Sequence, residues 1–239
     1  MFERSRKKHS YVEHKHKRYR IMWIILTFLT FFVSYIFITN FVFATKVLQS
    51  DSMQPNLQAG DRFIASSYAF NRIFPLFSDP SLHRGNVVFI DLSLSEEQNI
   101  FLTILDNTIR FFTAQRVSLT DNENRFFVKR IIGLPGDEIT MTNYVFRVRP
   151  GGSDYALTEF ELWERPYGVN IPQAPALWDG SVPFSGNIES FVLGENEFFV
   201  LSDDRSNTND SRTWGPIPLE YITGRAIFRY WPLNRLGRP

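Results

Sequence analysis

The sequence predicts a mainly β protein: an antiparallel β domain with a smaller inserted subdomain, preceded by one N-terminal transmembrane helix. Three observations lead there. Residues 21–44 form an apolar run without a charge. From Lys46 onward, short β-type runs are broken by Gly, Pro and Asn at strand-like spacing. Few helical patterns follow the apolar run, which favours an antiparallel sheet over alternating strands and helices.

Residues 1–20 hold eight Lys/Arg (Arg4, Arg6, Lys7, Lys8, Lys15, Lys17, Arg18 and Arg20) against Glu3 and Glu13. Without hydrophobic periodicity they are expected to form a basic cytoplasmic tail, disordered or bound to a surface. The run from Ile21 to Ala44 reaches roughly 36 Å as a helix, enough for a hydrocarbon core about 30 Å thick. It exceeds the apolar region of a cleaved leader. The basic flank puts the N-terminus in the cytoplasm and residues 45–239 on the far side of the membrane.

In that domain the strand candidates are Asp61–Tyr68, Val87–Ile90, Phe126–Ile132, Phe198–Leu201 and Arg225–Trp231. Gly133-Leu-Pro-Gly136 is a turn after the third. Two segments look inserted. Residues 98–114 set Phe101, Leu105, Ile109 and Phe112 at helical spacing, for a helix packed on the sheet or lying on the membrane. Residues 150–190, rich in Pro, Gly, Trp and Asn, suggest an appended β subdomain or a long loop set.

Composition narrows the chemistry. There is no cysteine, which excludes thiol catalysis, thiolate metal sites and disulfides. Outside the tail the chain is slightly acidic, which argues against nucleic acid as a partner. No cofactor or metal is expected. After residue 20 the lysines are Lys46 and Lys129 alone, and the one histidine is His83.

Ser50-Asp-Ser52-Met-Gln-Pro-Asn-Leu57 follows the apolar run closely, so Ser52 would sit at a fixed height above a bilayer. A serine nucleophile needs a base within hydrogen-bonding reach. His83 lies in a turn-like context, and Lys46 abuts the membrane exit, where a lysine ordinarily reaches for headgroups. Lys129 lies within Phe-Phe-Val-Lys-Arg-Ile-Ile, an apolar strand. Burial there would lower its pKa toward that of a working base; an outward-facing strand lysine is the other reading.

Three segments carry a family resemblance. Residues 50–57 resemble the Ser-x-Ser-Met-x-Pro-Thr-Leu box of bacterial type I signal peptidases. Phe127-Val-Lys-Arg-Ile-Ile-Gly-Leu-Pro-Gly-Asp137 resembles that family's lysine box. Residues 202–218, Ser-Asp-Asp-Arg-Ser-Asn-Thr-Asn-Asp-Ser-Arg-Thr-Trp-Gly-Pro-Ile-Pro, are similar to its Gly-Asp-Asn-Arg-Asp-Asn-Ser-x-Asp-Ser-Arg-x-Trp-Gly-x-Val-Pro box. The boxes stand in the family's order after an N-terminal anchor.

The resemblance implies a Ser/Lys endopeptidase that removes signal peptides from exported preproteins, cutting after small residues of the Ala-x-Ala type. It implies Ser52 as nucleophile and Lys129 as general base. Ser50, with the backbone N–H of Ser52, would form the oxyanion hole. Thr208 would orient Lys129, Asp203, Asp210, Arg212 and Arg130 would support the site, and Met53 and Pro55 would shape the loop and part of the substrate cleft. Partners implied are signal peptides and the bilayer of the bacterial inner membrane, with the enzyme working as a monomer. Ser202 for glycine, Asp204 for asparagine, Ser206 for aspartate and Asn56 for threonine depart from the pattern. Two other readings stay open: a non-catalytic relative that binds signal peptides, and a different Ser/Lys protease of the same fold.

Overall fold

A computed structural model describes residues 4–37, 43–67, 82–92, 102, 105–106, 108–109, 119, 126–163, 166–172 and 186–239. A long helix, α1 (Arg4–Phe37), leads the chain. The strands are β1 (Phe43–Val47), β2 (Arg62–Ser67), β3 (Val87–Asp91), β4 (Phe126–Gly133), β5 (Glu138–Thr142), β6 (Val145–Arg149), β7 (Leu157–Thr158), β8 (Ile188–Val192), β9 (Glu197–Leu201), β10 (Ile217–Pro218) and β11 (Ile222–Trp231). A single helical turn, α2 (Ser211–Trp214), lies between β9 and β10.

The described strands form two sheets, ordered β1-β2-β11-β3-β4-β9-β10 and β7-β6-β5-β8. All pairs are antiparallel. The chain is therefore mainly antiparallel β, as its turn-punctuated sequence requires.

β3 shows why its sequence is continuously apolar. Val87 and Phe89 enter one core cluster with Leu48, Met53, Leu57, Phe63 and Val128. Val88 and Ile90 enter a second with Ile131, Val200, Ile217 and Ile222. The large sheet is thus covered on both faces at this strand, which removes the polar half of the usual alternation. The small sheet packs Ile139, Met141, Phe146 and Val148 against Ile132, Phe199 and Leu201 of β4 and β9.

The N-terminal part differs from expectation. Residues 4–20 are helical and continuous with the apolar part of α1, where a disordered tail was one reading. Most of the described apolar side chains there are exposed, among them Ile21, Trp23, Ile25, Phe28, Phe31 and Val33. Among the described residues no helix is long and apolar enough to cross a membrane. The described helix ends at Phe37, and Phe43 and Ala44, placed by the sequence in the apolar span, already pair in β1.

The small sheet begins at Glu138, ahead of the segment 150–190 that the sequence marks as appended. β5 and β6 are joined through Asn143 and Tyr144, both at positive φ (51° and 64°), the signature of a tight two-residue hairpin. Of 98–114, Leu102, Leu105, Asp106, Thr108 and Ile109 are helical; the remainder of that predicted helix lies outside the described residues.

Candidate active site

The loop carrying Ser52 is closed at its neck. Leu48 N–H donates to the Asp61 carbonyl (2.8 Å) and Gly60 N–H to the Leu48 carbonyl (2.7 Å). The buried Asp61 carboxylate accepts from Gln58 N–H (3.1 Å), Arg229 Nη1 (3.1 Å) and Arg235 Nη2 (2.8 Å). Arg229 Nη1 also donates to the Asn56 carbonyl (3.1 Å), so the last strand grips this loop. Met53 and Leu57 plug the loop into the core; fully burying such a side chain contributes about 1.5–3 kcal/mol.

Met53 has no exposed surface, which corrects its expected place in the substrate cleft: it supports the loop from beneath. Pro55 is exposed. Ser52 is buried, and its backbone N–H donates to Ser50 Oγ at 3.1 Å. The two groups expected to face an oxyanion are thus neighbours that bond each other here.

Lys129 lies on β4, paired with Val88 on one side while its neighbour Arg130 pairs with Leu201 on the other. Its side chain is buried, so its amine is held away from water. Burial costs the ammonium its hydration and is the main cause of a pKa lowered from 10.5 to about 8. Asp210 and Asp203 pull the value up, and Arg212 pushes it down. The outward-facing reading of Lys129 is excluded.

Successive residues of β4 meet successive residues beyond β9. Lys129 Nζ donates to Ser202 Oγ at 2.8 Å. Arg130 grips Asp203 through Nε–Oδ1 (2.8 Å) and Nη2–Oδ2 (2.6 Å), both side chains buried. Arg130 also donates to the Gly85 carbonyl (2.8 Å) and lies over the Tyr167 ring, 4.3 Å from its centre. Asp204 N–H donates to the Ser52 carbonyl at 3.0 Å. One tripeptide, Ser202–Asp204, therefore contacts the candidate base, its neighbouring arginine and the candidate nucleophile.

Asp210 anchors that tripeptide. It accepts from Ser202 N–H (3.0 Å) and Arg212 N–H (3.1 Å), and caps α2. Arg212 binds both its carboxylate oxygens, at 2.9 and 2.8 Å. These hydrogen bonds hold the Asp210 pKa low against its burial.

Thr208 is a correction. It does not hydrogen-bond Lys129; its carbonyl accepts from Asp210 N–H and Thr213 Oγ1. Thr208 is thus engaged in its own turn, and Ser202 is the hydroxyl beside the amine. Ser202 is not among the positive-φ residues, so serine stands in this backbone without strain.

The segment 150–190 braces the site as well. Asn170 N–H donates to the Asp203 carbonyl (3.1 Å), and Arg205 N–H to the Asn170 carbonyl (2.8 Å), so residues 168–170 run beside the loop. Asn56 Nδ2 bridges Asp203 Oδ2 (2.8 Å) and the Gly168 carbonyl (2.6 Å). Glu159 accepts from Arg205 Nη2 and the Tyr167 hydroxyl, in a buried group that sequence reasoning missed. Burial and the neighbouring Glu159 carboxylate raise the Tyr167 pKa. The spare basic residues are elsewhere: His83 is exposed, and Lys46 Nζ lies 3.5 Å over the Phe126 ring.

The site thus offers a buried lysine with a lowered pKa and a buried serine, both bonded by one tripeptide. Comparison with known proteins names the family. Residues 20–231 match the model of the signal peptidase family, peptidase S26, and the chain belongs to it. It is 30% identical over 201 residues to signal peptidase I of Leptolyngbya laminosa, covering 84% of this chain and 74% of that protein. A probable signal peptidase I-2 of Synechocystis is 29% identical over 217 residues (90% and 76%). Signal peptidase IB of Staphylococcus aureus is 25% identical over 218 residues (91% and 93%).

Proposed function

We propose that this chain is a membrane-anchored serine endopeptidase that removes N-terminal signal peptides from exported preproteins, with Ser52 as nucleophile and Lys129 as general base. Membership of the signal peptidase family and the names of its relatives support the reaction. The observation that carries the residue assignment is the buried Lys129 amine, with a pKa of about 8, held by the same tripeptide that hydrogen-bonds the Ser52 carbonyl.

Neutral Lys129 Nζ takes the Ser52 Oγ proton as Oγ attacks the scissile carbonyl carbon. The oxyanion that forms is met by the Ser52 N–H and the Ser50 hydroxyl, once Ser50 turns from accepting that N–H to donating. The intermediate collapses as the C–N bond breaks and the Lys129 ammonium gives its proton to the leaving amine. Water, deprotonated by Lys129, then attacks the Ser52 ester, and the Lys129 ammonium returns that proton to Ser52 Oγ as the signal peptide is released.

The substrate reading is an extended peptide with small residues at the first and third positions before the cut, added to a strand edge. The anchor reading rests on the exposed apolar residues from Ile21 to Phe37 and on the basic residues ahead of them. On that reading the N-terminus lies in the cytoplasm and the β domain outside the bacterial cell membrane, and we read the enzyme as a monomer.

The test uses purified full-length chain in detergent or vesicles and a preprotein with an Ala-x-Ala site. Cleavage after that site, read by mass spectrometry, is expected. Ser52→Ala or Lys129→Ala should each lower the rate on the order of 10⁶-fold with circular dichroism unchanged. Full activity in either variant rejects the assignment.

A further inference from the structure

The Lys129 amine donates its hydrogen bond to a residue the sequence pattern does not assign to it. We propose that Ser202 is the positioning residue for Lys129, taking the place that the pattern gives to Thr208. This deepens the peptidase reading and rests on it.

Ser202 is fully buried, and its Oγ lies 2.8 Å from Lys129 Nζ. The Ser202 hydroxyl proton points toward Asn207 Oδ1 at 3.4 Å, which leaves an oxygen lone pair to accept from the amine. The Ser202 backbone is itself fixed, because its N–H donates to Asp210 Oδ2 at 3.0 Å. Arg212 clamps Asp210 and also donates to the Arg205 carbonyl (2.8 Å) and the Asn207 carbonyl. The acceptor for the lysine is therefore held in place by a buried ion pair.

The chemistry needs such an acceptor. A neutral amine on a flexible four-carbon stem has one lone pair, and rotation about Cε–Nζ scatters its direction. Donating one N–H to Ser202 turns the lone pair away from Ser202 and leaves it for a proton acceptor's task. Once Nζ is protonated, Ser202 Oγ still accepts one of its three N–H groups, so no proton passes to Ser202. A glycine at 202 offers no such oxygen.

The hydrogen bond is stronger to the ammonium than to the amine. Its loss therefore lowers the Lys129 pKa and moves the acid limb of the kcat/KM profile to lower pH. With preprotein and full-length chain, Ser202→Ala is expected to lower kcat by about 10- to 100-fold with KM little changed, and to shift that limb downward. Ser202→Thr should restore both, and Thr208→Val should leave the limb in place. Ser202→Gly serves the same test if the alanine variant does not fold. A second readout needs no activity: the chain has six lysines, so Lys129 Cε can be titrated by NMR in selectively labelled protein. A midpoint that falls in Ser202→Ala and not in Thr208→Val supports the proposal even if the parent cleaves no preprotein. An unmoved midpoint, or the same shift in Thr208→Val, overturns it, while preprotein cleavage by the parent would leave the peptidase reading standing.

Discussion

Arg130 and Asp203 form a two-pronged ion pair, 2.8 and 2.6 Å, with both side chains buried. It ties β4, which carries Lys129, to the loop that hydrogen-bonds Ser52. Asp203→Asn leaves the Arg130 guanidinium buried beside a neutral amide. Breaking a buried pair in this way costs about 3–5 kcal/mol. Chemical denaturation should show that loss, and a variant as stable as the parent would mean that the pair is replaced by water at no cost.

The pH dependence of activity follows from burial of Lys129. Its amine works unprotonated, and its pKa lies at about 8. kcat/KM should therefore rise with pH through about 8, by about tenfold per unit below it. A profile flat between pH 6 and 9 would exclude Lys129 as the titrating base.

Stability should show the same lysine with the opposite benefit. Unfolded Lys129 is protonated below about 10.5, whereas the folded residue resists protonation until about 8. Between those values the unfolded chain binds more protons, so this group's contribution falls as pH drops from 10.5 to 8 and stays constant below. Lys129→Met removes the buried ammonium and should stabilise the protein at pH 7 by on the order of 3 kcal/mol. Denaturation at pH 7 and pH 10.5 reads this directly: the gain should shrink at the higher pH.

Ser50→Ala tests the oxyanion role. Ser50 Oγ accepts from the Ser52 N–H at 3.1 Å, so a hydroxyl that turns to donate only as charge develops should act on kcat. A fall of about 10²–10³-fold in kcat with KM little changed is expected. An equal rise in KM instead would make Ser50 a substrate-binding group.

Much of this was legible in the chain. β2, β3, β4, β9 and β11 were visible because their runs are apolar on one face or both and have Gly, Pro or Asn close to at least one end. The β5–β6 hairpin was not, because its turn is Asn143-Tyr144, without the glycine that usually marks two positive-φ positions. In the site, Arg130 and Lys129 could be read as neighbours with different tasks from strand alternation. Which hydroxyl meets Lys129 could not be: Ser202 and Thr208 lie in one loop, and its turn decides between them. Glu159 and Tyr167 escaped notice because their partner, Arg205, lies far along the chain and nothing local to them signals burial.

The place of β11 in the sheet has a further consequence. This strand is preceded in the chain by every other described strand, yet it lies between β2 and β3. Its Arg229 supplies the bond to the Asn56 carbonyl in the serine loop. The middle of the sheet therefore stays open until residues 222–231 have been made and delivered. Pairings this distant in sequence close slowly, in milliseconds to seconds. A chain still emerging from its ribosome has β2 and β3 without the strand that joins them and no Arg229 on its serine loop.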